Sequence, residues 1–114
     1  MRQLFAIASR MYRVVRPVRS QKYLAFVRSW PCIACGTARR SREAMHTGPH
    51  GIGQKASDLD TVPGCRVCHA ELHRLGPVRF QMLHGLDFRE AVETLQKFYV
   101  ILHDELPGEE RRAA

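Results

Sequence analysis

Three observations predict a small α+β fold with flanking helices. The chain has 114 residues, the size of one small domain plus tails. Two CxxC pairs, Cys32-Ile-Ala-Cys35 and Cys65-Arg-Val-Cys68, bracket 29 residues rich in turn formers and short apolar pairs. A long stretch near the C-terminus, Asp87 to Leu106, carries apolar residues at helical spacing. The organisation that follows is a basic arm over 1–19, a domain over 20–106 and a tail over 107–114. The domain has its core at 30–76 and a C-terminal helix at 87–106.

Residues 1–19 interleave Arg2, Arg10, Arg13, Arg16 and Arg19 with apolar residues, as a short amphipathic helix or a disordered arm would. Residues 20–30 read as a helix with Tyr23, Leu24, Phe26, Val27 and Trp30 mostly on one side, capped by Ser20 and stopped by Pro31. The first CxxC forms a tight turn, with Gly36 supplying conformational freedom. Residues 37–46 read as a hairpin ending in a short strand at Ala44-Met45-His46. Thr47 to Asp60, with Gly48, Pro49, Gly51 and Gly53, reads as an irregular loop. Thr61-Val62 is a brief strand, Arg66 to Leu75 a helix stopped by Gly76-Pro77, and Val78 to Leu83 a shorter helix. The last helix places Phe88, Ala91, Val92, Leu95, Phe98, Tyr99, Leu102 and Leu106 on its apolar positions. Asp87 and Glu90 form a capping box at its start.

All four cysteines fall in the two pairs, and no signal peptide is expected: the apolar run Leu4 to Ala8 is short and lacks a clear cleavage site. No stretch approaches the roughly 18 apolar residues of a membrane span, and no membrane partner is expected. A reducing, cytoplasmic compartment (bacterial or phage-infected host) is the expected setting. There, paired CxxC motifs bind metal more often than they form disulfides. Thiolates at Cys32, Cys35, Cys65 and Cys68 would fill a tetrahedral shell around a structural Zn²⁺. A thioredoxin-like redox role is the weaker reading, because the chain lacks the βαβ context of that motif.

Directly after the second pair come His69 and His73, at i and i+4 of the predicted helix. Such residues project from nearly the same face and can share one metal ion. Two protein ligands leave open positions for water and a phosphate oxygen. His46, at the end of a predicted strand, has the chemistry of a base near neutral pH.

In order and spacing, residues 30–76 resemble the HNH endonucleases, also called His-Me finger or ββα-metal nucleases. A common form of that motif runs from a strand-end His through a loop to Asn-Leu-Val-Pro-Leu-Cys-x-x-Cys-His; here the segment reads Asp60-Thr-Val-Pro63-Gly-Cys65-Arg-Val-Cys68-His69. The stretch from Met45 to Leu59 looks like a small prophage-type subgroup that includes relatives of the phage recombination-enhancement nuclease. The resemblance implies a ββα-metal (HNH, treble-clef-like) core. It implies His46 as general base, Asp60 at the Asn position, His69 as ligand of a catalytic Mg²⁺ or Mn²⁺, and His73 as second ligand or phosphate contact. Three positions depart from the pattern. Met45 stands where many members carry a metal-binding Asp or His, Asp60 replaces Asn, and Gly64 replaces Leu, which predicts looser packing behind the second knuckle. Asp58, Asp60 or water would then complete the metal shell.

Charge points to a polyanionic partner. The net charge is +7, yet residues 1–42 hold ten Arg and Lys and no acid, while 43–114 hold eight basic and eleven acidic residues. Such a field fits DNA backbone contacts without sequence reading, with Arg39, Arg40 and Arg42 tracking the backbone and Lys55 contacting a phosphate. No small-molecule cofactor is expected. The exposed faces of the 87–106 helix could serve a homodimer or only the core. The expected function is metal-dependent hydrolysis of DNA phosphodiester bonds. The alternative is a non-catalytic four-cysteine zinc module that binds DNA or protein.

Overall fold

A two-stranded antiparallel sheet separates two small cores in the computed structural model, which describes residues 17–48 and 56–109. The basic arm through residue 16 and the tip of the glycine-rich loop lie outside the described residues. Strand β1 (Arg42–His46) pairs with β2 (Thr61–Cys65), His46 opposite Thr61 and Arg42 opposite Cys65. Helix α1 (Gln21–Arg28) precedes the sheet, and α2 (Arg66–Leu75), α3 (Pro77–His84) and α4 (Phe88–His103) follow it. The α+β class is therefore as expected, with these four helices among the described residues.

The hairpin read within 37–46 is not what forms. Residues 38–40 are bends, and β1 begins at Arg42 and pairs across the loop with β2. Arg42 is the reason. Its Nε donates to Trp30 O at 3.2 Å, and its Nη1 donates to Ala38 O at 2.8 Å and Arg40 O at 2.7 Å. One guanidinium thus takes up two carbonyls within the segment and ties it to a third, Trp30 O, before the first knuckle.

Side-chain alternation gives the sheet two different faces. Met45 joins Cys32, Val62, Cys65, Cys68, Leu72, Phe80, Phe88 and Val92 in one core. Ala44 packs on the other, formed by Tyr23, Phe26, Val27, Leu59, Leu95 and Tyr99. Tyr99 meets the edges of both Tyr23 and Phe26 with ring centroids 5.2 Å apart, the favoured aromatic geometry.

The caps follow the sequence. Ser20 Oγ accepts the Tyr23 N–H at 3.0 Å, and Asp87 Oδ1 accepts the Glu90 N–H at 3.2 Å. Helix α4 ends at His103 rather than Leu106. Asp104 takes a left-handed conformation, and the Glu105 carboxylate turns back to the Tyr99 hydroxyl at 2.9 Å and to Lys22 Nζ. Only the Phe88, Val92, Leu95, Tyr99 stripe of α4 is buried. Leu102 is 65% exposed, because the helix has a neighbour on one side alone.

Gly64 and Met45 explain each other. A Cβ at residue 64 would overlap the Met45 Sδ, and Met45 is fully buried. The missing leucine therefore leaves no loose packing behind the knuckle; the methionine from the facing strand fills that space. Gly64→Ala is expected to cost about 1–3 kcal/mol through overpacking. Urea unfolding reads this directly, and an unchanged midpoint would mean that Met45 moves aside freely.

Candidate functional site: a four-cysteine centre and two histidine groups

The first knuckle is shaped by its backbone. Gly36 N–H donates to Cys32 O at 2.8 Å with Gly36 at φ 75°, and Cys32 N–H donates to Thr37 O at 3.0 Å. Ile33 N–H donates to Pro63 O at 2.8 Å, which docks this knuckle on β2. The second knuckle is the β2–α2 junction, where Cys65 caps α2 and its Sγ accepts the Cys68 N–H at 3.5 Å. The four Sγ atoms all lie within 4.8 Å of one another. Cys35 and Cys65 are 3.8 Å apart sulfur to sulfur, and all four thiols are free. Thiolates bound tetrahedrally at about 2.3 Å from zinc lie about 3.8 Å apart, so the four residues could hold a zinc ion.

The thiol electrostatics suit a cation. Burial acts to raise the Cys32 thiol, but hydrogen bonds from the backbone at Cys35, Cys65 and Ala34 outweigh it and bring the group down to about 6. Burial and the neighbouring cysteines push Cys68 upward; at Cys35 a backbone hydrogen bond from Thr37 acts to lower the thiol, but desolvation and the contacts with Cys32 and Cys65 leave it raised. Four like charges cannot share this space alone, and a divalent cation reverses that balance.

His69 and His73 converge on the outer side of α2. Their Nε2 atoms are 3.2 Å apart and the rings stack at 4.8 Å. The far nitrogen of His69, Nδ1, faces Glu43 Oε1 of β1 at 3.5 Å. A carboxylate behind a histidine of this kind fixes the tautomer and leaves the other nitrogen as a lone-pair donor.

His46 belongs to a second group. Its Nε2 lies 2.9 Å from Asp58 Oδ1. Strand alternation turns it to the Ala44 face, whereas Glu43 and Met45 take the other. No hydrogen bond or ion pair among the described residues joins the His46 group to the His69 pair. Asp58 is not available to complete a metal shell with His69, because its other oxygen, Oδ2, accepts the Ser20 N–H at 2.9 Å. Met45 is in the core, as a side chain without ligand chemistry can be.

Asp60 ends the loop against Gly48, where a Cβ would come within 2.5 Å of Asp60 Oδ2. Its backbone carbonyl accepts the Thr47 N–H at 2.9 Å. Burial raises the Asp60 carboxyl above its ordinary 3.8, partly opposed by the charge of His46. A raised carboxyl binds its proton more tightly in the folded chain. It therefore contributes stability below pH 3.8, and this is lost as pH rises through the folded value. Asp60→Asn is expected to raise the melting temperature at pH 7 by a few degrees, with the gain shrinking toward pH 4. Thermal melts across that range test it; a gain that persists unchanged at low pH would contradict the assignment.

Arg39 and Arg40 are exposed. Arg42 is committed to the three carbonyls that shape the preceding turn, so its position is structural. Lys55 lies outside the described residues. Glu43 and the hydrogen-bonding role of Asp58 were not readable from the motif. An acid two residues before Met45 on the same strand face was the available signal for Glu43; nothing local marked the direction of Asp58. Among the described residues, no helix is long and apolar enough to cross a membrane.

A stretch of 54 residues is 41% identical to the uncharacterized protein YdfU of Escherichia coli (strain K12), covering 46% of this chain. The chain spans 16% of that protein's length. No solved structure matches the chain. The family model described as Protein of unknown function (DUF968) matches residues 12–101. Since that match takes in both knuckles, the two strands and nearly all of α4, the chain belongs to the DUF968 family.

Proposed function

We propose that this chain is a metal-dependent DNA endonuclease of the HNH type, built on a zinc-stabilised ββα-metal core. The observation that carries the reading is the convergence of His69 and His73 Nε2 at 3.2 Å on the helix directly after a strand pair, with His46 at the end of the first strand. Two imidazoles and open coordination positions suit a hydrolytic divalent ion. When bound there, Mg²⁺ or Mn²⁺ would supply positive charge where negative charge develops on the transferring phosphoryl group.

The chain's own residues do the rest. His46, partly exposed beside a buried carboxylate at the very end of β1, accepts the proton of the attacking water; since it and the His69 pair belong to opposite sheet faces, the substrate phosphate has to bridge them around the strand end. The water oxygen bonds to phosphorus and the 3′ oxygen leaves, which gives 5′-phosphate and 3′-hydroxyl ends. Exposed Arg39 and Arg40 contact phosphates without reading bases.

Supercoiled plasmid with Mg²⁺, Mn²⁺ or chelator, with His46→Ala alongside, tests the reading. Nicked or linear product that needs both metal and His46 is the expected result. A second reading, a zinc module that binds without cleaving, is favoured by one observation. Met45 lies fully buried against Gly64, where many relatives of this type carry a metal ligand. DNA retention without cleavage under any metal would select it.

A further inference from the structure

The Asp58 carboxylate is buried and held by several partners. Its side chain is 5% exposed. Its backbone is held on both sides: the Asp58 N–H donates to Val18 O at 2.9 Å, and Asp58 O accepts the Thr61 hydroxyl at 2.9 Å. Thr61 is the residue paired with His46 across the sheet. Each carboxylate oxygen then has its own partner, Oδ2 the Ser20 N–H at 2.9 Å and Oδ1 the His46 Nε2 at 2.9 Å. The Arg19 guanidinium stands 3.8 Å from Oδ1 and donates to Ala56 O at 2.7 Å, so a positive charge flanks the buried negative one.

We infer that Asp58 is a positioning residue that fixes His46 in its Nε2–H tautomer, so that Nδ1 is the atom that accepts a proton. An ionised carboxylate has only acceptors. The short contact to Oδ1 therefore requires the proton of a neutral imidazole to sit on Nε2. Nδ1 keeps the lone pair, on the side of the ring away from Asp58. The same contact limits ring rotation, and a base whose orientation is set in advance needs less reorganisation as it reacts. The consequence for catalysis rests on the nuclease reading above; the tautomer does not.

The Ser20 N–H makes the inference sharp. A backbone N–H can only donate. In Asp58→Asn the side chain has one acceptor oxygen instead of two, at nearly unchanged size. That oxygen stays with Ser20, and the amide NH₂ then faces His46 Nε2. Nε2 must become the acceptor and the ring proton moves to Nδ1. The substitution is therefore expected to invert the tautomer with little change in packing. Loss of the correct tautomer at a carboxylate-oriented base lowers turnover by on the order of 10⁴-fold.

The test uses the ¹⁵N-labelled full chain as purified. Long-range imidazole NMR spectra are recorded at a pH where His46 is neutral, with His46→Ala to assign its signals. Expected are Nε2–H in the wild type and Nδ1–H in Asp58→Asn. Cleavage by Asp58→Asn is expected to fall in kcat with KM little changed. In the His46→Ala background the second substitution should cost nothing more, since the two act as a unit. Nδ1–H in the wild type overturns the inference, as does a tautomer that survives Asp58→Asn or a rate untouched by inversion. If Asp58→Asn fails to fold, the wild-type spectrum still decides. If the wild type cleaves nothing, the nuclease reading fails, and the tautomer spectra still decide whether Asp58 holds His46.

Discussion

The purified chain is expected to carry one tightly held zinc ion, and stripping it should abolish cooperative folding. Both knuckles would come apart together, because Cys32 and Cys35 lie before β1 while Cys65 and Cys68 lie at the β2–α2 junction. Three of the four thiols are in contact with the core that also contains Met45, Leu72, Phe80 and Phe88. That core is small, and small cores commonly depend on metal. Apparent binding energies of structural zinc in finger peptides are about 10–16 kcal/mol near pH 7, comparable to or larger than the total stability of a domain, about 5–15 kcal/mol. Metal analysis should return one zinc per chain, and a strong chelator should release four reactive thiols as the melting transition disappears. Cys65→Ser or Cys68→Ser should do the same. Acid should weaken the site too, since protons compete with the metal for all four sulfurs. A chain that melts at the same temperature with and without chelator would show that the thiols are only packed together.

The second large effect concerns His69 and His73. With the cysteine site filled, a second divalent ion should bind, and either His69→Ala or His73→Ala should remove it. Mn²⁺ titration followed by electron paramagnetic resonance separates this site from the zinc. Each alanine variant is expected to lose the binding and, with it, cleavage. Glu43→Gln should act more gently. Removal of a carboxylate behind a ligating histidine typically costs 10–100-fold in affinity, and here the lower end applies, because Glu43 is 49% exposed and 3.5 Å from His69 Nδ1. Retained Mn²⁺ binding in both alanine variants would mean that the close Nε2 pair is a hydrogen bond between two surface histidines.

Local chemistry was legible where it depends on neighbours in the chain. Two residues between cysteines set a chelating turn, three between histidines set a shared helix face, and Ser20 and Asp87 mark helix starts with their own side chains. The end of α4 was less legible. Leu106 continues the apolar spacing, but Tyr99 and Lys22 draw Glu105 back, and Lys22 comes from a helix more than 80 residues away.

The two CxxC turns and the adjacency of His69 and His73 came from spacing, since each is a short-range constraint that survives any arrangement of the rest; that the two turns meet followed from thiol chemistry, four cysteines making one closed zinc shell. Tertiary structure alone decided which strand β1 joins, because Arg42 takes up two carbonyls of its own segment and the partner strand follows a long loop. It also decided that Met45 and Gly64 compensate for each other, since their complementarity exists only across the sheet. The direction of Asp58 belongs to the same class. Its oxygens point to Ser20 and His46, two groups distant in sequence that only the fold sets 2.9 Å from one carboxylate.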